Sequence, residues 1–521
     1  MKKIFFISAL CISFSTLFAQ EPADALRYSW TNANGTARTQ SVGGAIGALG
    51  GDVTSAFVNP AGLGMYKTGD FVMTPGFGFL NTKSTYYGTT ESQKKNQFAF
   101  GTTGFVIGFG SNANNNRKLK GSSFTMAINR IADFNSNILY KGQQNQSSYS
   151  QKYLEEISNN GDKDANTVSG GYGNYAFGTS LAFNTYWIDT VGGGSSGNYQ
   201  FQTRAPIATG LLQQNTVNQK GGITELAIAG AANISDKIYY GITLGIPFLN
   251  YKRTTEFLEA DATDNSNNNF NYGVFRDDLK TKGVGLNLKL GVIYKPMESL
   301  RLGLAFHSPT YYSLEDNYTA SVETDTENYS GVLDQSSLLF LNGEASNFKY
   351  TLFTPYKAIL SGAYVLGTVE DVSKQQGFIT ADIEYVNYKS MSYHTDPGNE
   401  VNDDATKNYL KSINTAIDNA YKGAINLRLG GELKFNTLMV RLGGAYYGNP
   451  YKNINGEKGS RTQITGGIGY RNKGMFIDLG YVHNIRKDVN FAYRLENKAI
   501  YKGADIKGMG GNVVVTVGFK I

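Results

Sequence analysis

The stretch KIYYGITLGIPF, residues 237–248, alternates between two kinds of side chain. One set is large and apolar: Ile238, Tyr240, Ile242, Leu244, Ile246 and Phe248. The set between them is smaller or more polar: Tyr239, Gly241, Thr243, Gly245 and Pro247. Successive side chains of a β-strand point to opposite faces, and a strand between lipid and a wet lumen needs this contrast. The stretch therefore predicts a wall strand of a transmembrane β-barrel.

The same alternation recurs along the chain, for example in residues 283–296, 299–322 and 421–435. A soluble β-sandwich also alternates, so three further features matter. Charged residues occupy the less apolar face deep inside long strands, and tyrosine pairs such as Tyr446-Tyr447 stand at strand ends, as an interfacial girdle would. Predicted connections alternate between very short and long, which is typical of periplasmic turns and outer loops. Together these features favour the membrane barrel.

The predicted antiparallel barrel has about fourteen strands and accounts for residues 69–521. The strands are 69–82, 95–110, 121–137, 222–234, 237–256, 283–296, 299–322, 348–366, 376–393, 421–435, 437–449, 461–472, 474–490 and 507–521. This count treats 138–221 as one large extracellular excursion. Strand-like pieces within 171–205 would raise the count to sixteen if they entered the wall. Residues 403–420 show helical spacing of apolar residues and predict an amphipathic helix in an outer loop.

Composition agrees with an all-β membrane protein. Of 521 residues, 62 are glycine, 35 tyrosine and 30 phenylalanine, against an average glycine usage of about 7%. No run of 18 or more apolar residues follows the first 19, so no transmembrane helix is predicted. The formal net charge of +6 is spread along the chain, and no basic cluster with stacking aromatics indicates nucleic-acid binding.

Residues 1–19 form a predicted secretory signal peptide. Lys2 and Lys3 precede an apolar run that ends at Ala19, after which cleavage is expected. The only cysteine of the sequence, Cys11, lies inside this segment, so disulfide chemistry is not expected in the exported chain. The alternating last strand, Val513 to Ile521, is of the kind that barrel assembly machinery reads. The predicted location is the outer membrane of a Gram-negative cell, beside its lipid and lipopolysaccharide.

Residues 20–68 do not have the pattern of a wall strand. They contain the glycine-dense run GGAIGALGG at 43–51, which lacks the preceding strand and following lysine of a phosphate-binding loop. The element NPAGL follows at 59–63, where Pro60 fixes a bend. So many small residues allow tight packing, and we expect this segment to form a compact hatch, or plug, inside the lumen.

Three motifs of this segment resemble a known family. ARTQSVGG (37–44), ALGGD (48–52) and NPAGL (59–63), in this order after a signal peptide, are similar to the N-terminal hatch of the FadL/TodX-type transporters of long-chain fatty acids and hydrocarbons. The hatch motif itself maps onto Asn59, Pro60, Ala61 and Gly62. The local likeness covers about residues 24–80, and beyond them it rests on strand number, loop lengths and size. The long 138–221 excursion departs from the better-known members.

The resemblance implies a fourteen-stranded barrel plugged by its own N-terminus. Outer loops would capture a hydrophobic small molecule and pass it to a pocket near the hatch, from which it would leave through a lateral gap in the wall. Passive outer-membrane transport of long-chain fatty acids or similar molecules is therefore the predicted function. A carboxylate headgroup would need a cation, and Lys289, Arg301, Arg428, Lys434 and Arg441 lie on predicted inward faces. Each could equally pair with Glu432, Asp382, Glu384 or Asp478, so the ligand residues stay unassigned.

Enzymatic and metal chemistry find no support in the residues. His307, His394 and His483 are the three histidines, and none stands in a nucleophile or metal motif. No catalytic residue, metal ligand or cofactor is predicted. Two alternatives remain open: a general diffusion porin, which the hatch-like segment disfavours, and a surface-binding adhesin barrel. An energy-coupled receptor of 22 strands would need a longer chain.

Overall fold

The computed structural model describes residues 22–110, 118–191, 198–263, 265–367, 375–398, 404–452 and 459–521. The predicted signal peptide, with Gln20 and Glu21, lies outside the described residues. No helix of the described residues is both long and apolar enough to cross a membrane.

Twenty-three strands are present in the described part of the chain. They are β1 (Asp70–Met73), β2 (Pro75–Tyr86), β3 (Thr89–Phe100), β4 (Thr103–Gly110), β5 (Leu119–Asp133), β6 (Ser136–Gln144), β7 (Ile188–Val191), β8 (Gln200–Thr203), β9 (Leu211–Ile234), β10 (Ile238–Asp261), β11 (Tyr272–Tyr294), β12 (Leu300–His307), β13 (Tyr311–Asp325), β14 (Val332–Ser336), β15 (Ser346–Phe353), β16 (Lys357–Gly367), β17 (Gln375–Asn387), β18 (Ser392–Thr395), β19 (Gly423–Phe435), β20 (Leu438–Tyr447), β21 (Arg461–Asn472), β22 (Met475–Asn490) and β23 (Ala504–Lys520).

Seven α-helices and several 3-10 turns accompany the strands. The α-helices are α1 (Pro22–Ser29), α2 (Ala37–Ser41), α3 (Ser55–Val58), α4 (Gln151–Asn160), α5 (Ala165–Ser169), α6 (Thr179–Asn184) and α7 (Asp404–Ala420). The 3-10 turns span Pro60–Met65, Gly173–Phe177, Ser337–Leu341 and Tyr388–Ser390.

The strands form one closed antiparallel barrel with fourteen wall strands in the described chain. Several wall strands are interrupted and consist of two pieces, such as β1 with β2, β3 with β4, and β5 with β6. The barrel closes where β1 and β2 both pair with β23, for example Phe71 with Phe519. β7 and β8 pair only with each other, in a separate two-stranded sheet. Fourteen strands are thus confirmed, and the sixteen-strand alternative is wrong.

The two ends of the barrel differ as the connection lengths predicted. Tight turns close one end, and in the turn between β9 and β10 both Ser235 and Asp236 have positive φ angles of 57° and 56°. The other end carries long loops, including helix α7, which confirms the helix predicted at 403–420. The excursion between β6 and β9 covers residues 145–210, narrower than 138–221, because both strands continue beyond the apolar part of the wall.

The outer face of the barrel is an apolar belt. Leu442 and Ile464 are 71% and 61% exposed, whereas their chain neighbours Arg441 and Thr465 are 1% and 3% exposed inside the lumen. A closed barrel that exposes large apolar side chains all around its wall requires lipid rather than water outside. The predicted orientation of the alternating faces is therefore confirmed.

Candidate functional site

Residues 22–68, here called the N-terminal segment, run through the lumen from the long-loop end to the tight-turn end. At the long-loop end, helix α1 lies beside helix α7, where the Tyr421 hydroxyl donates to the carbonyl oxygen of Pro22 at 3.0 Å. At the tight-turn end, Gly69 exchanges two backbone hydrogen bonds of 2.9 Å with Ile521. Nearly all residues between 35 and 64 are buried. The segment is therefore packed inside the barrel.

Side chains of the wall hold the backbone of this segment. The Thr243 hydroxyl donates to the Ala56 carbonyl and the Ser123 hydroxyl to the Leu63 carbonyl, both at 2.9 Å. In the opposite sense, the backbone amide of Ala37 donates to the Thr516 hydroxyl at 2.7 Å. The segment is short and rich in small residues, so these bonds to the wall take the place of a core of its own.

The NPAG element forms a bend that one side chain organises. The Asn59 side-chain nitrogen donates to the Gly47 carbonyl at 2.6 Å, and its oxygen accepts from the Ala61 amide at 3.1 Å. Asn59 thereby caps the 3-10 turn that begins at Pro60, where proline has no backbone N–H to leave unbonded. Asn59 also donates to the Val292 carbonyl of strand β11 at 3.3 Å, which ties the bend to the wall.

The inward charges mostly pair with one another. Arg428 donates to Glu384 at 2.8 Å, and Arg441 bridges Glu432 at 2.5 Å and Asp478 at 2.6 Å. These two arginines have the carboxylate partners that the sequence offered. Lys289 pairs instead with Glu225, which sequence reasoning missed. Glu225 lies on β9, 64 residues away, and no local pattern signals such a pair.

Arg301 binds the N-terminal segment rather than a carboxylate. Its guanidinium donates to the Leu49 carbonyl at 2.5 Å and contacts the Met65 sulfur at 3.3 Å. His307 also contacts the N-terminal segment, with its Nε2 at 2.9 Å from the Val58 carbonyl oxygen. Lys434 stands partly exposed near the tight-turn end. Of the five candidate cations, none except Arg428 and Lys289 lines the lumen cavity described next.

A cavity of about 90 Å³ lies in the lumen between the N-terminal segment and the wall, here called the lumen cavity. Its lining combines apolar side chains, such as Phe57, Val58 and Ile359, with the charged or titratable Glu225, Lys289, His307, Lys357, Glu384 and Arg428. Lys357 differs from the other two cations, since its ammonium contacts the Thr31 hydroxyl and no described carboxylate lies within ion-pair distance. Lys357 carries no sequence signal, because it stands at an interruption of the wall where the alternation stops.

At one place among the described residues, two neighbouring wall strands lie side by side without a backbone ladder. Strand β3 pairs with β2 on one side, whereas β4 below it pairs with β5. The following piece, β6, pairs only with β9, so β3 and β6 share no backbone ladder. A kink at Phe134-Asn135 separates β5 from β6, and both residues are bonded inward to the Gly221 carbonyl. We call this break the lateral gap.

A larger cavity of about 390 Å³ lies directly behind the lateral gap, here called the side cavity. Its lining includes Gln97 and Ala99 from β3 and Asp133 to Ser136 from the kink. Above it, the Lys95 ammonium reaches the Asn137 side chain at 3.2 Å, which bridges the two strands without a ladder. Outside, Phe98 and Phe100 are 64% and 41% exposed. The side cavity therefore lies on the inner side of the lateral gap, and the apolar belt lies on its outer side.

One short piece of the N-terminal segment separates the two cavities. Asn32, Ala33 and Asn34 line both the lumen cavity and the side cavity. Asn34 donates to the Arg130 carbonyl at 2.8 Å, beside the kink, and Asn32 accepts from Arg461 at 2.6 Å. Residues 32–34 thus form a partition between the cavities.

Comparison with known proteins rests on structure. No protein-family model and no curated protein matches the chain by sequence. A Pseudomonas aeruginosa FadL homologue is 12% identical and superimposes with a TM-score of 0.52, over 94% of this chain and 99% of that chain. A deletion mutant of the TodX monoaromatic hydrocarbon channel is also 12% identical, with a TM-score of 0.51, 95% coverage of this chain and 99% of that chain.

These matches concern the fold, since the identities are low. They span nearly the full length of both chains, so they include the barrel and the N-terminal region together. The likeness that the three N-terminal motifs indicated is thereby confirmed at the level of structure. The chain has the fold of the FadL-type outer-membrane channels.

Proposed function

We propose that the protein is a passive transporter of hydrophobic small molecules in the outer membrane of a Gram-negative cell. One observation carries the proposal: the backbone ladder of the wall is interrupted at the lateral gap, next to the side cavity, and the N-terminal segment is packed in the lumen. A route for polar solutes would need an open lumen from end to end. An opening onto the apolar belt suits a cargo that is soluble in lipid.

In this proposal residues 1–19 export the chain, residues 20–68 are the hatch, and residues 69–521 are the barrel. The hatch motif Asn59, Pro60, Ala61 and Gly62 closes the downward route. The lumen cavity above it is the smaller of the two, about 90 Å³ against 390 Å³, and the charged Lys289, Glu225 and Arg428 interrupt its apolar lining, so it offers a long acyl chain no continuous apolar surface. Each methylene gains about 0.8 kcal/mol only when its new surroundings are apolar. The cargo therefore leaves sideways, through the side cavity and the lateral gap, into the lipid.

The geometry favours a cargo with an anionic headgroup, such as a long-chain fatty acid. Lys357 faces the lumen cavity without a described carboxylate at ion-pair distance, whereas Lys289 and Arg428 there are paired. A cation that is withdrawn from water without a counter-ion is destabilising, and a ligand carboxylate would supply the missing charge. The outer loops would capture the cargo before it reaches this cavity.

A three-way transport assay tests the proposal. Proteoliposomes or cells carrying the protein should take up a radiolabelled long-chain fatty acid, and liposomes should not swell in small sugars. Swelling would instead support a general diffusion porin. If the protein neither takes up fatty acid nor causes swelling, the result would support the alternative of a surface-binding adhesin barrel. Mass spectrometry of lipids that co-purify with the protein would identify the natural cargo.

A further inference from the structure

Three pairs of glycines stand on the lumen face of the wall. Within each pair the two residues are directly opposed across neighbouring strands: Gly241 with Gly291, Gly430 with Gly443, and Gly467 with Gly480. Glycine inside a strand is unfavourable because it adds backbone freedom and no packing surface. Six such residues in opposed pairs therefore need a reason beyond the barrel itself.

The N-terminal segment lies on all three pairs. Pro60 and Ala61 press against Gly241, and Asn59 against Gly291. Val42 and Gly43 lie on Gly430 and Gly443, while Ser41 lies on Gly467 and Gly480. A Cβ atom added at any of the six would stand closer than 3.0 Å to an atom of the segment.

Two glycines on the outer face, Gly230 and Gly362, have room for a Cβ atom. At Gly362 a Cβ would meet nothing within 4 Å, and at Gly230 its nearest contact would be the Ser123 carbonyl at 3.8 Å. The lack of a side chain is thus sterically required at the opposed inward pairs but not at these outward positions. At all six paired positions the atoms that a Cβ would meet include atoms of the segment.

We propose that these three glycine pairs are positioning sites that fix residues 36–66 against the wall during transport. The inference rests on the proposed role of the segment as a hatch. The pairs belong to β10–β11, β19–β20 and β21–β22, away from the lateral gap beside β3. The base of the segment is held on these walls. Cargo passes without expulsion of the NPAG bend.

Alanine substitutions test this positioning role. In Gly241→Ala and in the double variant Gly430→Ala/Gly443→Ala, the new methyl group meets backbone atoms of the segment, so the displaced form should become about ten- to hundred-fold more populated. Planar-bilayer conductance should rise accordingly. A reporter cysteine at buried Thr39 should become reactive to a membrane-impermeant maleimide. Its labelling is specific, because the only natural cysteine is Cys11 in the signal peptide.

Matched controls separate docking from barrel folding. Gly230→Ala and Gly362→Ala should leave conductance and labelling at wild-type levels. If Gly241→Ala or Gly430→Ala/Gly443→Ala fails to assemble, Gly480→Ala replaces it. Its methyl group causes a smaller steric clash, since the nearest contact is the Ser41 hydroxyl at 2.8 Å. A folded barrel in which Gly241→Ala and Gly430→Ala/Gly443→Ala neither leak nor expose Thr39→Cys would overturn the inference. Neither readout uses cargo, so failure of the proposed cargo would show separately, as absent fatty-acid uptake by the wild type.

Discussion

Asn59 shows how a single side chain holds the N-terminal segment on the wall. Its amide bonds Gly47, Ala61 and Val292 at once, which joins two parts of the N-terminal segment to the wall. The sequence could single out this residue because the NPAG motif is local. Partners such as Glu225 for Lys289, or the isolated position of Lys357, depend on strands that are far apart in the chain, so the alternation of one strand could not reveal them.

Replacing Asn59 should loosen the bend without unfolding the barrel. Asn59→Ala leaves the buried Gly47 carbonyl without its donor, a local loss of about 1–3 kcal/mol. Asn59→Asp should destabilise the bend more than Asn59→Ala does, because a carboxylate would face the Gly47 and Val292 carbonyl oxygens. Both variants should stay heat-resistant on gels and show raised leak of small polar solutes in bilayer recordings. Wild-type leak in both would mean that the bend is only a packing motif.

Leu288 tests the lipid-facing register of β11. It is 38% exposed on the outer face, whereas Asn287 is 7% exposed and bonded to Glu225 at 3.0 Å. Leu288→Arg should impair assembly, since arginine at the bilayer midplane is unfavourable by about 2–4 kcal/mol. The measure is the heat-modifiable fraction in outer-membrane preparations, with Leu288→Phe as control. Equal assembly of both variants would reject the register. Asn287→Arg is not a clean control, because it would bring a second cation beside Lys289.

Lys357 tests the anionic headgroup. Lys357→Met keeps much of the side-chain length but removes the charge. Affinity for a long-chain fatty acid should fall about ten- to hundred-fold, the usual worth of a charged hydrogen bond, while affinity for the corresponding alcohol should hold. Tryptophan or calorimetric titration of the purified protein would measure both. An equal loss for acid and alcohol would argue against a headgroup contact.

At the scale of elements, period-two alternation located all fourteen wall strands, and helical spacing located α7. Both signals are local and report which face is buried. The kink at Phe134-Asn135 was not predicted, because it depends on bonds to Gly221 on another strand. The break between β3 and β6 is a property of pairing, which no single strand encodes.

Helix α7 should act as a cover that steadies helix α1. Leu410, Ile413 and Ile417 are buried in the same apolar cluster as Ala25, Leu26 and Tyr28. Ile413→Ala with Ile417→Ala should destabilise this contact by about 2–5 kcal/mol per site and speed limited proteolysis within the loop. Lys411→Ala, on the exposed side of the same helix, should leave the rate of proteolysis unchanged. Unchanged proteolysis of the double variant would show that α7 does not clamp α1.

At the scale of the whole molecule, three features combine into one route. In the proposed route the N-terminal segment closes the lumen, the side cavity leads away from it, and the lateral gap connects that cavity with the apolar belt. The family resemblance of the sequence motifs implied a lateral exit. Its proposed position, between β3 and the β5–β6 kink, rests on the strand pairing of the folded wall.

The most direct test is a reversible lock across the lateral gap. Gln97→Cys and Asn135→Cys both line the side cavity and can be joined by a short cleavable thiol cross-linker. The control pair, Thr254→Cys with Asp278→Cys, is directly opposed on β10 and β11, where the wall is already continuous. We expect fatty-acid uptake by cells to stop when the gap pair is joined, to return on cleavage, and to be unaffected by the control pair. Wild-type uptake through a fully cross-linked gap would contradict the lateral route.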